Sequence, residues 1–253
     1  MEKYLLDEEI KIKKQFSARC AEFDISANWI TDNALIRAHT DLAGEPNGEA
    51  LELCCGTGRV GRALKAVGWQ VKGLDICSDM VEASSKYFTV LRGRAEKIPF
   101  ESNRFALVTC RQAFHFLNIQ EVLREIARVL VPQGVFVLSL TVPFSEKDSR
   151  WLYEIHRIKQ PLLKKFYTVK DLMRALKKAR FSIIEIRNLR VRESVTRWMK
   201  YAPELTQETR EKVIAAVRYA PEPYKNLHNV EVSGKEVFED WNWVVLKTAF
   251  SKI

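Results

Sequence analysis

The chain has 253 residues, 47% of them hydrophobic, and a formal net charge of +9. That length and apolar content can bury one full core, so a single elaborated domain is expected, and no apolar run approaches the roughly 20 residues of a membrane span. Residues 1–16 are charged throughout, unlike a secretory signal, and five cysteines without the spacing of a disulfide framework or zinc site suit a reducing cytoplasm, the expected location.

In chain order, Leu5, Leu6, Ile10, Ile12 and Phe16 supply an apolar stripe that predicts an amphipathic helix over 3–23. A second helical stretch, 26–39, carries Trp29, Ile30, Leu35 and Ile36. A linker with Gly44, Pro46 and Gly48 follows. Strand and helix then alternate: strand 50–54, helix 58–67, strand 70–75, helix 78–86, strands 89–92 and 105–110, helix 119–130 and strand 134–141. Pro132-Gln133-Gly134 reads as the turn before that last strand. Such alternation argues for right-handed βαβ crossovers and a parallel sheet covered on both faces. Farther on, 146–166 reads as helical, Thr168 caps a helix over 169–179, and strands are expected at 181–189 and 241–250. About fifty residues separate these two strands. A structureless loop of that length is improbable in a compact domain, and 194–201 and 206–219 read as helices. The expected layout is an N-terminal helical cap (1–47), a core (48–192), a helical lid insertion (193–240) and a final strand (241–253).

The most informative stretch is Leu51-Glu52-Leu53-Cys54-Cys55-Gly56-Thr57-Gly58-Arg59-Val60-Gly61, an apolar strand that turns through glycines straight into a helix. Glycine lacks a Cβ, so backbone N–H groups at such a turn can approach a polar ligand closely. The next strand ends on Asp75, placing a carboxylate where it can accept hydrogen bonds from both hydroxyls of a ribose. Together these features indicate an adenosine-type cofactor. Gly56, Gly58 and Gly61 also satisfy G-x-G-x-x-G, the dinucleotide pattern of nicotinamide dehydrogenases. The wider context separates the two. ALELCCGTGRVG, VKGLDICSDMVEAS, GRAEKIPFESNRFALVTCRQAFHFL and REIARVLVPQGVFVLS, in that order over about 48–143, closely resemble the class I methyltransferases that use S-adenosylmethionine (SAM). The likeness is greatest to their quinone and small-molecule branch.

That resemblance implies an α/β Rossmann-like doubly wound sheet, mostly parallel with an antiparallel last strand, plus a helical lid. It implies SAM as cofactor, with S-adenosylhomocysteine (SAH) as product. Cys54, Gly56 and Gly58 would line the methionine part, with Glu52 beneath. Asp75 would take the ribose, or cap the following helix. Ile76 and Met80 would pack on adenine, or serve as core. Ala95 would reach the ring, with Glu96 as a substitute acid, while Arg111 would contact the cofactor. Three departures stand out: Cys54 replaces a glycine, Arg94 replaces an acid that accepts from the adenine amino group, and Ala106 replaces another acid. Arginine has no acceptor.

In Thr109-Cys110-Arg111-Gln112-Ala113-Phe114-His115-Phe116 the resemblance places the histidine against the acceptor. His115 is thus a candidate general base, or a structural histidine, with Gln112 and Phe114 as substrate contacts. The Asn/Asp-Pro-Pro-aromatic segment of amino-directed nucleic-acid methyltransferases is absent. Trp198, Tyr201, Tyr219, Tyr224, His228, Asn229, Glu231, Trp241 and Trp243 form an aromatic and polar set that could line an acceptor pocket or simply pack a lid. Trp198, Tyr201 and His228 are its substrate candidates, and Glu193 and His228 are secondary proton acceptors. Cys54, Cys55, Cys77 and Cys110 gather near strand tips, as small residues in tight turns or as thiophilic ligands, and no metal is expected. Residues 145–193 hold fourteen Lys/Arg and six Asp/Glu, +8 of the total +9. The expected function is methyl transfer to a small organic acceptor, a phenol, quinol or heteroaromatic O, N or C, without a stable nucleic-acid partner. The alternatives are an RNA methyltransferase using the basic window and a non-catalytic SAM-binding module.

Overall fold

The computed structural model describes residues 2–250, with side chains from Asp7 onward; Leu5 and Leu6 of the expected apolar stripe lie outside the described side chains. Strands β1 (Glu49–Leu53), β2 (Gln70–Asp75), β3 (Thr89–Arg92), β4 (Phe105–Arg111), β5 (Leu130–Thr141), β6 (Phe181–Ser194), β7 (Glu231–Ser233) and β8 (Glu236–Phe250) form one sheet. Its order is β3-β2-β1-β4-β5-β8-β6, with β7 added on β8. β1 to β5 are parallel, and β8 runs antiparallel between β5 and β6. The chain lays strands outward on one side of β1 and then returns to lay β4 on the other. The C-terminal ends of β1 and β4 are therefore not bridged, and such a switch point leaves a crevice.

Alternation along the strands divides the core between the two faces. Ala50, Leu107, Val137 and Val245 face one layer with Leu35, Leu42, Val60 and Leu64. Leu51, Val108, Leu138 and Leu246 face the other with Val122, Leu123, Ile126, Leu172 and Leu176. The helices that supply these residues are α4 (Asn33–Ala43) and α5 (Arg59–Ala66) on the first face, α7 (Ile119–Val129) and α9 (Val169–Lys178) on the second. α6 (Ser78–Ser85) packs on β2 and β3. Thr168 caps α9 as expected, in a capping box with Asp171.

Several expectations change. The stretch 26–39 is not one helix: α2 (Phe23–Ser26) and α3 (Asn28–Thr31) are separated by extended Ala27, and Asp32 caps α4 by accepting from the Leu35 N–H at 2.7 Å. Aspartate competes with the helical backbone for that N–H, so the helix restarts there. α4 covers the sheet instead of the site, and its buried His39 meets Thr109 Oγ1 and Ser139 Oγ, each at 2.7 Å. Only α1 (Glu2–Arg19), α2 and α3 of the N-terminal segment lie over the strand tips. Pro132-Gln133-Gly134 lies within β5, where Gln133 takes φ +65° and the pairing with β4 shifts register. β6 runs five residues past its expected end and β8 starts five before its expected beginning, so the insertion between them spans 195–235. It holds α10 (Val195–Lys200), α11 (Gln207–Arg218), α12 (Glu222–Leu227) and β7, and packs on α8 (Ser149–Lys159).

Candidate functional site

A cavity opens over the C-terminal ends of β1, β2 and β4, with about 1380 Å³ of empty space counting its mouth. Its first half is built by the glycine turn. Cys54, Gly56 and Gly58 take φ of +52°, +53° and +76°, a left-handed run that lifts the chain out of β1 and starts α5. Two of the three are glycines, for which this conformation carries no Cβ penalty. The Cys54 side chain bonds Cys110, which together with burial holds its thiol well above the usual range, so it rests protonated. Gly61 is required by closeness: an added Cβ would lie 2.5 Å from Glu52 Oε2 and 2.5 Å from Phe88 Cζ. Glu52 accepts from the Gly61 N–H at 2.8 Å, capping α5 from below. Burial pushes its carboxyl up to about 7, against the pull of the Arg111 charge and of those N–H groups.

Asp75 ends β2 with its side chain at the cavity. Its Oδ2 accepts from the Gly56 N–H at 2.9 Å and its Oδ1 from the Cys77 N–H at 2.9 Å. Each carboxylate oxygen offers two acceptor directions, so capacity for two hydroxyls remains. Burial raises its pKa while the backbone N–H groups oppose that shift. Its two N–H partners belong to the glycine turn and to Cys77, the residue before α6, so Asp75 braces the two loops and does not cap α6.

Among the expected cofactor residues, Cys54, Gly56, Asp75, Ile76, Met80, Ala95, Glu96 and Arg111 line this cavity; Glu52 and Gly58 do not, Glu52 being turned to the Gly61 N–H and Gly58 packed against Phe88 and Ser84. Arg94 lines it too, and its position becomes intelligible. Its Nη1 donates to Glu9 Oε2 of α1 at 2.8 Å, so the cation holds the N-terminal helix over the crevice. Arg111 is half-buried and donates to the Trp29 and Ile30 carbonyls, each at 3.1 Å. Burial lowers its pKa to about 10, a value that leaves it charged. Asp24 completes the attachment by accepting from the Thr57 hydroxyl at 2.6 Å and from Arg59 Nε at 3.0 Å.

The other half of the cavity is aromatic. Phe16, Trp29, Phe116, Trp198 and Trp241 line it, together with Gln112. His156 and Lys159 of α8 are there as well, each 2% exposed. The His156 ring lies 5.0 Å from Trp198 and 5.0 Å from Trp241, and its Nε2 has no hydrogen-bond partner among the described residues. Lys159 Nζ donates to the Trp198 carbonyl at 2.6 Å and sits 4.2 Å from that ring's centre. Burial pushes both groups well below their usual pKa ranges.

Five sequence candidates are displaced from this site. His115 is buried outside the cavity lining, its Nδ1 bonded to the Lys165 carbonyl at 2.9 Å and its ring stacked on Phe166 at 4.6 Å. Burial lowers its pKa to about 4. An imidazole enclosed in this way does not face an acceptor. Phe114 stacks on Phe136 in the core, and Tyr201 ends α10 away from the cavity. His228 belongs to the lid's own network, bonded to Asp148 Oδ2 and the Asp240 carbonyl, each at 3.1 Å. Glu193 is likewise occupied: its two oxygens accept from the Asn28 and Trp29 N–H groups at 2.8 and 2.6 Å, capping α3. From the aromatic set, Trp198 and Trp241 reach the cavity, Trp243 packs in the core against Trp29, and Tyr219 is 77% exposed. The sequence did carry a signal for the missed pair: His156 and Lys159, three apart, interrupt the apolar face formed by Leu152 and Ile155.

Among the described residues no His/Cys/Asp/Glu group could hold a metal ion, and no helix is long and apolar enough to cross a membrane.

Residues 51–138 match the methyltransferase domain family model. A methyltransferase-like protein of Schizosaccharomyces pombe is 32% identical over 147 residues, covering 54% of each chain. The demethylmenaquinone methyltransferase of Staphylococcus aureus is 36% identical over 113 residues, covering 40% of this chain and 46% of that one. The chain spans about half the length of these curated relatives. The solved structure of the YcgJ protein of Bacillus subtilis superposes with a TM-score of 0.75 at 18% identity, over 86% of this chain and 98% of that one. Geranyl diphosphate C-methyltransferase of Streptomyces coelicolor, solved with SAH, gives 0.59 at 14% identity, over 86% and 80%. The fold is thus the Rossmann-like fold of these solved methyltransferases, and residues 51–138 are a methyltransferase domain by their match to that family model.

Proposed function

We propose that this protein transfers the methyl group of SAM to a small, planar organic acceptor such as a phenol, quinol or heteroaromatic. One observation carries the reading: a single cavity joins the glycine turn and Asp75 at one end to Trp29, Trp198, Trp241 and His156 at the other. When bound, SAM supplies an activated methyl on a sulfonium, so the protein's task is chiefly alignment and exclusion of water. Asp75 would hold the ribose hydroxyls, the Gly56–Gly58 turn the methionine part, and Ile76, Met80 and Ala95 the adenine. Glu96 lines that end, with Oε1 accepting from the Asn118 N–H at 3.2 Å, and supplies a carboxylate where Arg94 cannot accept. The tryptophans would clamp the ring of the acceptor, and α1 to α3 with α10 would cover it. His156 replaces His115 as the imidazole that meets the acceptor.

The names of two relatives support a small acceptor, one a quinone precursor and one a prenyl diphosphate. The basic window lends less to RNA, because many of its cations are paired: Lys165 with Asp171, Lys170 with Glu146, Arg187 with Asp41 and Arg192 with Glu231. Incubation with methyl-labelled SAM and a panel of phenols, quinols and N-heterocycles is expected to give a labelled small product. Label entering RNA while the panel stays unlabelled would overturn the acceptor class.

A further inference from the structure

Lys159 is a buried amine facing a cavity, and among the described residues no carboxylate lies within ion-pair distance of it. The acids nearby are committed elsewhere: Glu204 to Arg19, Glu8 to Lys164, Glu9 to Arg94, and Glu193 to two backbone N–H groups. A charged group out of water and without a counter-charge is costly, and a chain that needed only packing here would fare better with an apolar side chain. One turn earlier on the same helix face, the imidazole of His156 presents a buried Nε2 with no partner. Lys159 Nζ, with one of its three N–H donors spent on the Trp198 carbonyl, and His156 Nε2, with no partner among the described residues, therefore converge on one stretch of an otherwise aromatic wall.

We propose that this wall recognises an acceptor carrying an anionic oxygen, a carboxylate or phenolate on a planar apolar body. Lys159 is its counter-ion, His156 donates a second hydrogen bond, and Trp198 and Trp241 hold the ring. The inference rests on the transferase reading above and narrows its acceptor class. Charge-assisted hydrogen bonds in a dry site discriminate strongly, because a neutral isostere leaves the same buried groups unpaired.

The test is a titration of the full chain with and without saturating SAH, followed by tryptophan fluorescence. The probes are 4-hydroxybenzoate and 4-nitrophenolate, each against a neutral counterpart, 4-hydroxybenzyl alcohol and 4-nitroanisole, at a pH where both anions are ionised. The expected result is binding of at least one anion about tenfold tighter than its counterpart. Which of the two shows the preference separates carboxylate from phenolate. Lys159→Met should abolish the preference and leave SAH affinity unchanged, whereas Lys159→Arg should retain part of it. Equal binding of anions and neutrals, no binding of either anion, or a preference undiminished in Lys159→Met would overturn the proposal. Failure to bind SAH would instead refute the transferase reading, with the anion preference still read from the SAH-free titration.

Discussion

Gly61 and Cys54 show how tightly the glycine turn is constrained. A methyl group at position 61 would collide with Glu52 and Phe88, both buried and neither able to retreat into solvent. Gly61→Ala is therefore expected to cost about 1–3 kcal/mol in urea unfolding and to weaken SAH binding, since the turn must shift. Cys54 sits at φ +52°, where a branched side chain is a genuine outlier. Cys54→Val should be less stable than Cys54→Gly by about 1–2 kcal/mol, and equal midpoints would show that the turn is not strained there. These residues were legible in the sequence because their reason is local: a strand, a turn and a helix start within a dozen positions. His115 was not. Its orientation depends on residues 165–167, fifty positions away, which close over it, whereas His156 reaches the cavity only because α8 packs beneath α10 and β8.

Elements meet through buried polar groups whose titration links them to stability. His39 fastens α4 to β4 and β5, and burial lowers its pKa to about 3. Its folded pKa lies below the ordinary value of 6.5, so the unfolded chain takes up the proton first. The contribution is complete above pH 6.5 and is lost as pH falls from there toward 3. Glu52 and Glu193, raised to about 7, act in the opposite sense, stabilising below the ordinary carboxylate range and losing that contribution as pH rises through 7. Comparison with His39→Gln isolates the histidine: the wild type's advantage should shrink by about 1 kcal/mol per pH unit between pH 6 and 4. A difference independent of pH would mean that His39 is protonated in the fold. Glu193→Ala leaves the Asn28 and Trp29 N–H groups without their acceptor and should cost about 1–3 kcal/mol. The parallel strands and their helices were readable from periodicity. The break of 26–39 into three helices was not, because it is decided by Asp32 and by Glu193, which arrives from β6.

Over the whole molecule, the cover of the site comes from both ends of the chain. α1 to α3 are tied down by Arg94, Arg111 and Asp24, and the insertion is held by Lys159 of α8, whose Nζ donates to the Trp198 carbonyl. Arg94, which stands where the resembling family has an acid, is one of these ties. Long-range pairing of this kind leaves little trace in a single sequence, so the glycine-turn end of the cavity was legible, and of the aromatic end only Gln112, Trp198 and Trp241 were. A ligand that binds the folded and not the unfolded chain should stabilise it by about 2.7 kcal/mol at a hundredfold excess over Kd. Calorimetric titration of SAH into the wild type and into Asp75→Asn, with NADH as control, tests the central claim most directly. SAH is expected to bind the wild type and NADH not to, with affinity reduced about tenfold or more in Asp75→Asn because one ribose acceptor is lost. Absence of SAH binding to the wild type, or equal affinity in the variant, would contradict the assignment of this cavity.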